Sequence, residues 1–203
     1  MLWVKIGNRQ RILDAGIELF NTSGTIAVTT NHIARHLKIS PGNLYFHFSD
    51  REEIVRELFK GLREETYRVW DGAGHDPLNF LNESFEVFWR YRFFHREMYH
   101  LRRQDPLLTQ EWKRHMRKSF TLLRQNYVRW QEEGYVRAID DMELRSLSEN
   151  VLLTSSAYLG FFESPEKPAS RKAIRSGIEQ VYRILRPYLK DRPAAAAEAS
   201  LGI

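Results

Sequence analysis

The sequence predicts an all-α chain of about nine helices, and three observations predict it. No segment alternates convincingly between apolar and polar residues at period two. Apolar residues instead recur three and four apart, as in Ile54, Val55, Leu58, Phe59 and Leu62. Cap and breaker residues punctuate that pattern at helix-length intervals, Ser40-Pro41, Ser49-Asp50, Asp105-Pro106 and Gly134 being the plainest. With 203 residues and 42% hydrophobic content, the chain can build a sizeable core.

The elements follow in order. Helix 1 spans about 8–21, with Ile12, Leu13, Ala15, Ile17, Leu19 and Phe20 on a broad apolar face. Asn8 reads as its N-cap, and Gly24 suits a left-handed position past its end. Helix 2 follows Thr29 and turns Ile33, Ala34 and Leu37 inward, and Ile39 fills the next turn. Ser40 and Pro41 start helix 3: a hydroxyl cap, then proline where its missing N–H costs nothing. Leu44 and Phe48 give helix 3 a dry side, leaving Gly42, Asn43, Tyr45 and His47 for solvent. At about seven residues it is ~10 Å long, comparable with the ~12 Å width of a DNA major groove.

Ser49-Asp50-Arg51-Glu52 fits an S-x-x-E capping box for helix 4, which keeps helical spacing to about Trp70. Residues 71–77 are the clearest break. An aromatic helix, roughly 80–94, comes next. After Asp105-Pro106 a long helix runs over about 107–133, closed by Gly134. Another spans about 140–163. Ser164-Pro165 and Pro168 form a loop, and Ser170 caps a last helix to about 189. Residues 191–203 are rich in Pro and Ala and are expected to be disordered.

Charge narrows the function. The net charge is +5. Residues 1–49 carry five Lys/Arg against two acids, and residues 90–118 carry nine against three. Such an excess is compatible with a nucleic-acid partner and equally with simple solubility. The absence of cysteine excludes disulfides and thiolate metal sites. No run approaches the ~18 apolar residues of a membrane span, and the start is too short for a signal-peptide apolar region, so a cytoplasmic protein is expected. His32 and His36 lie four apart on a helix but lack a third ligand, and His95 and His100 do not share a face. No nucleophile–base pattern, phosphate loop or metal set is present, so neither an enzyme nor a cofactor is expected.

Residues 9–59 resemble the DNA-binding domain of TetR-family transcriptional regulators. The segments RILDAGIELFNTSG, VTTNHIARHLKIS and PGNLYFHFSDREEIVRELF carry the resemblance. The Ile33-Ala34 pair, the run from Ser40 to Phe48 and the basic Arg51 ahead of helix 4 stand at the family's spacing. Two departures matter. Lys38 stands where the family usually has a glycine; in a left-handed conformation it costs roughly 1 kcal/mol. His32 stands where an acid often completes a capping box, which predicts a less firmly started helix 2.

The resemblance implies a helix-turn-helix domain over 1–50, a helical effector-binding and dimerisation domain over 51–190 with helix 4 as connector, and a tail over 191–203. It implies that Thr29 or Thr30, Tyr45, His47 and Arg51 contact phosphates; Lys38, the departure from the pattern, is read as tolerated and as an extra phosphate contact. Ser40, Pro41, Gly42 and Asn43 would face base edges, and the Asn43 amide suits adenine. Tyr45 could instead be core, and Asn43 could contact only water.

A homodimer is implied, paired through the last two long helices. Leu144, Leu147, Val151, Ser155, Tyr158 and Phe162 form one stripe, and Ile174, Ile178, Val181 and Leu185 another; both could also be internal core. A ligand cavity is expected among Phe85, Phe88, Trp89, Phe93, Trp112, Phe120, Tyr127 and Trp130, although aromatics at this spacing equally form core. It would take a hydrophobic or amphiphilic small molecule, anionic if Arg92, Arg96, Arg102 or Arg103 guard its mouth. The expected function is a repressor released from its DNA operator by that molecule. The alternative is a DNA-binding regulator without an effector.

Overall fold

The computed structural model describes residues 7–72, 76–162 and 170–190. Among them are nine α-helices: α1 (Asn8–Ser23), α2 (Thr30–Leu37), α3 (Pro41–His47), α4 (Arg51–Asp71), α5 (Pro77–Arg90), α6 (Arg92–Gln104), α7 (Pro106–Glu132), α8 (Asp141–Phe162) and α9 (Arg171–Leu185). A 3₁₀ turn, Arg186–Tyr188, follows α9. None of these helices is long and apolar enough to cross a membrane. The expected 164–168 loop and 191–203 tail lie outside the described residues.

Several helix ends differ from the sequence reading, each for a local reason. Gly7, not Asn8, caps α1, so the Asn8 side chain is free to donate to Asn43 Oδ1 at 3.2 Å. Gly24 has φ 78° but ψ 159°, an extended conformation rather than a left-handed helical one. Thr29 accepts from the His32 N–H at 3.3 Å, and His32 Nδ1 stands 3.3 Å from the Thr29 nitrogen and 3.0 Å from the Ala27 carbonyl. One tautomer accepts from Thr29 and completes the capping box; the other donates to Ala27. Either secures the start of α2 without an acid. The α4 box sits one residue later than S-x-x-E. Asp50 accepts from the Glu53 N–H at 2.6 Å, and Glu53 accepts from the Ser49 N–H at 2.7 Å and hydroxyl at 2.8 Å. Those bonds from Ser49 hold the Glu53 carboxyl below its usual range.

The expected single aromatic helix is two. It breaks at Tyr91 (φ −106°, ψ 31°), and the break is braced from both sides. Asn21 of α1 is buried there. Its Nδ2 donates to the Arg90 carbonyl at 2.8 Å, and its Oδ1 accepts from the Phe93 N–H at 3.1 Å. The Tyr91 hydroxyl donates to Glu65 of α4 at 2.8 Å. Gly61 permits that approach, since a Cβ there would meet the same hydroxyl at 2.9 Å. Burial and the bond to Glu65 push the Tyr91 phenol up.

The first apolar core links the reading head to the rest. Ile12, Phe20, Ile33, Leu44, Phe48, Ile54 and Phe59 pack in one cluster with Phe93, Phe94, Leu101 and Leu108. Phe20 lies on Phe93 with ring centres 5.4 Å apart. A second core gathers Trp70, Phe80, Leu122, Tyr127 and Trp130 with α8 and α9.

That second core overturns part of the dimer expectation. Leu144, Leu147 and Val151 of α8, and Ile174, Ile178, Val181 and Leu185 of α9, are buried inside the protomer. α8 and α9 spend these stripes on each other and on α5 and α7, so they cannot also form a mating surface. Ser155 and Tyr158 are half-buried within the protomer. Of the expected residues only Phe162 is exposed, together with Met142, Leu153 and Phe161.

Asn21→Ala is expected to lower stability by roughly 2–4 kcal/mol, because two buried main-chain groups lose their partner. Urea unfolding measures it, and a loss under ~0.5 kcal/mol would show that the brace at Tyr91 is dispensable.

Candidate functional site

The reading head is built from α2 and α3 resting on α1. Ile33, Ala34, Leu44 and Phe48 are buried, which fixes the opposite side outward. The turn between them needs a left-handed residue, and Lys38 supplies it with φ 55° and ψ 40°. It is the one non-glycine residue of positive φ among the described residues. Its side chain is exposed beside α3, as are Ser40, Pro41, Gly42 and Asn43.

Polar ties orient this face. Thr30 Oγ1 and the Tyr45 hydroxyl stand 3.1 Å apart, joining the start of α2 to α3. Asn8 holds the Asn43 carbonyl while itself accepting from Arg11 at 2.9 Å. Ser40 caps α3 by accepting from the Asn43 N–H at 3.2 Å. Tyr45 is exposed, not core. A methyl at Gly42 would meet nothing within 4 Å, so protomer packing does not require glycine there. The first N–H groups of α2, next to Thr29 and Thr30, precede any helical partner and suit an anion.

Two residues differ from expectation. Arg51 points back: its Nη1 donates to the Thr25 carbonyl at 3.0 Å and its Nε and Nη2 to Glu52, so its charge is engaged inside the protein. Phe46 is 83% exposed, lying edge-on to half-buried His47, and the sequence reading assigned it no role. The signal was present: Leu44 and Phe48 point inward, so the residue between them points out.

A second site lies inside the helical body. Leu62 and Thr66 of α4, Phe94, His95 and Met98 of α6, Trp112, His115 and Ser119 of α7 and Ser155 of α8 enclose a cavity of about 30 Å³. A neighbouring cavity of about 20 Å³ reaches Tyr158, Leu159, Ile174 and Ile178. Phe88 of α5 lines both. Of the expected ligand residues, Phe88 and Trp112 line this space. Phe93 is in the first core against Phe20, and Tyr127 and Trp130 are in the second. Phe85 and Phe120 face open grooves, and Trp89 is sandwiched by Arg92 and Arg171. None of Arg92, Arg96, Arg102 and Arg103 lines either cavity.

Helix spacing sets His95 off the face of His100, so the sequence offers no metal pair there, and it assigns His115 no role. His95 bonds the Ser155 main chain, and its Nε2 is sealed from solvent without a partner; so is Thr66 Oγ1. His115 Nδ1 stands 3.1 Å from the Tyr67 hydroxyl. Burial pushes His95 down to about 4. Burial, then Arg63 and His95, push His115 down to about 3. Both rings are therefore neutral at pH 7.

α6 connects the two sites. It carries His95 at the cavity, and two residues later Glu97, whose carboxylate accepts from the Thr25 N–H at 3.0 Å and from the Thr25 hydroxyl. Thr25 lies in the link between α1 and α2.

Comparison with known proteins agrees with this arrangement. Residues 12–58 match the family model described as bacterial regulatory proteins, tetR family. Residues 64–196 match the model TetR, bacterial transcriptional repressor. The chain is 35% identical over 63 residues to the HTH-type transcriptional repressor KstR2 of Rhodococcus jostii, 31% of each protein. It is 30% identical over 81 residues to the HTH-type transcriptional regulator AcrR of Shigella flexneri, 37% of each. The matched part thus spans about a third of the length of these curated relatives. A solved TetR-family transcriptional regulator from Marinobacter aquaeolei superposes with TM-score 0.82 at 29% identity, covering 97% of this chain and 98% of that one. A TetR/AcrR-family regulator from Thermobifida fusca shares the fold, with TM-score 0.60 at 19% identity, covering 90% and 99%.

These two desolvated histidines predict a pH dependence. Unfolding returns each ring to a pKa near 6.5, so below that pH the unfolded chain binds more protons and stability falls. Each histidine removes roughly 1.4 kcal/mol per pH unit from about pH 6.5 down to its folded value. Urea unfolding at pH 7 and pH 5 is expected to show a loss of up to roughly 4 kcal/mol for the pair; equal stability at both would contradict neutral buried rings.

Proposed function

Because the chain belongs to the TetR family of DNA-binding bacterial transcriptional regulators, we propose that it is a homodimeric repressor released from its operator by a small molecule held between α4 and α8. One observation carries the effector part: α6 lines the cavity with His95 and grips the reading head with Phe93 and Glu97. A ligand that moves α6 would move Thr25, and with it α2 and α3. In a dimer the two recognition helices must stand roughly 34–36 Å apart to enter successive major grooves, so a small displacement weakens binding. By linkage, operator DNA weakens ligand binding by the same factor.

On this reading residues 1–50 form the reading head and 51–190 the effector and dimerisation body. Thr29, Thr30, Tyr45, His47 and Lys38 contact the phosphate backbone, and Asn43, presented by Asn8, reads a base edge. Phe46 adds an apolar surface for a thymine methyl. Arg51 braces the α1–α2 link and makes no phosphate contact. The dimer forms through the outer side of α8, where Met142, Leu153 and Phe161 are exposed and apolar.

The operator is obtained by selecting bound sequences from random DNA. On it, Asn43→Ala is expected to relax preference at one base pair by ~1–3 kcal/mol while leaving affinity for random DNA unchanged. Equal loss on both would remove Asn43 from base readout. Leu153→Arg is expected to weaken dimerisation by at least ~2 kcal/mol, from lost apolar burial and an unpaired charge. Sedimentation measures it, and an unchanged dimer would place the interface elsewhere.

A further inference from the structure

Resting on the effector reading above, we infer that the cavity binds a compact, uncharged aromatic molecule carrying one hydrogen-bond donor, received by His95 Nε2.

The polar side comes first. The neutral His95 ring uses its N–H on the Ser155 main chain, so Nε2 is left as a lone-pair acceptor. That atom is sealed from solvent without a partner, and Thr66 Oγ1, across the same cavity, is too. A buried acceptor left unpaired is costly, so a ligand that supplies a donor gains more than one of the same shape without it.

Charge is excluded by the lining. Among the described residues, no Lys, Arg, Asp or Glu lines either cavity. His95 and His115 are held neutral by burial. A carboxylate entering here would lose its hydration with no cation of the described lining to hydrogen-bond it. The arginines of α6 stay out of the lining itself: Arg92 lies over Trp89, and Arg102 lies over the Trp112 ring that walls the cavity.

Shape gives the aromatic body. At about 30 and 20 Å³ the voids have room for about two waters and one water respectively. The two voids share the walls of Phe88, His95 and Ser155, and the Phe88 ring centre stands 4.4 Å from that of His95. Phe88 and His95 line both voids and Phe88 is only half-buried, so turning it outward joins them. The seat it vacates is that of one six-membered ring against an imidazole. A ligand ring takes that seat with its donor toward Nε2.

The test is calorimetry on the full-length protein without DNA, using phenol, toluene and benzoate. Phenol is expected to bind about ten-fold or more tightly than either of the others, the worth of one well-made buried hydrogen bond. His95→Phe should bring phenol down to the toluene value. Phe88→Ala should tighten both phenol and toluene. Thr66→Val, close in shape, removes the hydroxyl that can donate to the phenol oxygen and should lower phenol affinity without altering toluene binding, and it guards against loss of fold in the histidine variant. Equal binding of phenol and toluene, benzoate binding tightest, or no binding of any probe to wild type and Phe88→Ala would each overturn the inference. The measurement contains no operator. Donor-dependent phenol binding that leaves operator affinity unchanged would sink the effector reading and keep this one. Operator release by another ligand, with phenol unbound, would do the reverse.

Discussion

The amide of Asn21 is the constraint on which the rest depends. It is a side chain of α1 that satisfies two main-chain groups on opposite sides of the Tyr91 break. A helix end buried without such partners is unstable. So α5 can end and α6 can begin at that point only while α1 stands where it does. Phe20 against Phe93 and Thr25 against Glu97 repeat the tie on either side. The reading head and the first turns of α6 therefore form one packed body. A displacement of α6 cannot be absorbed at the junction; it must be passed to α2 and α3.

The reading head itself is oriented by modest means. Thr30–Tyr45 and Asn8–Asn43 are exposed hydrogen bonds, individually worth about 1 kcal/mol or less. Their importance is entropic. They limit the rotamers of side chains that would otherwise be ordered only on binding, a cost of about 0.5–1.5 kcal/mol per side chain. Lys38 shows the opposite economy. Its left-handed backbone is strained, and the exposed ammonium it presents beside α3 is a gain that glycine could not give.

Much of the fold was legible in the sequence because helix periodicity and caps are local signals. The misreadings arose where a local signal is ambiguous about its partner. The α8 and α9 stripes were found, but periodicity cannot say whether a stripe meets its own chain or a second copy. α8 is apolar on two sides: Leu144, Leu147 and Val151 face inward, Met142, Leu153 and Phe161 outward. The Tyr91 break was invisible because Asn21, which stabilises it, is seventy positions upstream. Arg51 looked available because its acceptor, the Thr25 carbonyl, is a main-chain atom no side-chain pattern reveals. His95 failed a search framed around metal spacing, whereas its chemistry comes from what encloses it.

That enclosure decides what kind of signal the cavity can carry. The basic block of residues 90–118 invited an anionic ligand, yet α6 is amphipathic and turns its arginines away from the cavity. Inside, neutral imidazoles and hydroxyls remain. A ligand shifts a conformational equilibrium only by its differential affinity for the two states. If Phe88 must turn for the ring seat to open, the ligand binds the open state almost exclusively, and the cost of opening sets its apparent affinity. Phe88 sits on α5 and His95 on α6, on opposite sides of the Tyr91 break that Asn21 braces. Opening the seat thus pulls at the same junction that fixes the reading head, which gives a small uncharged molecule leverage over α2 and α3.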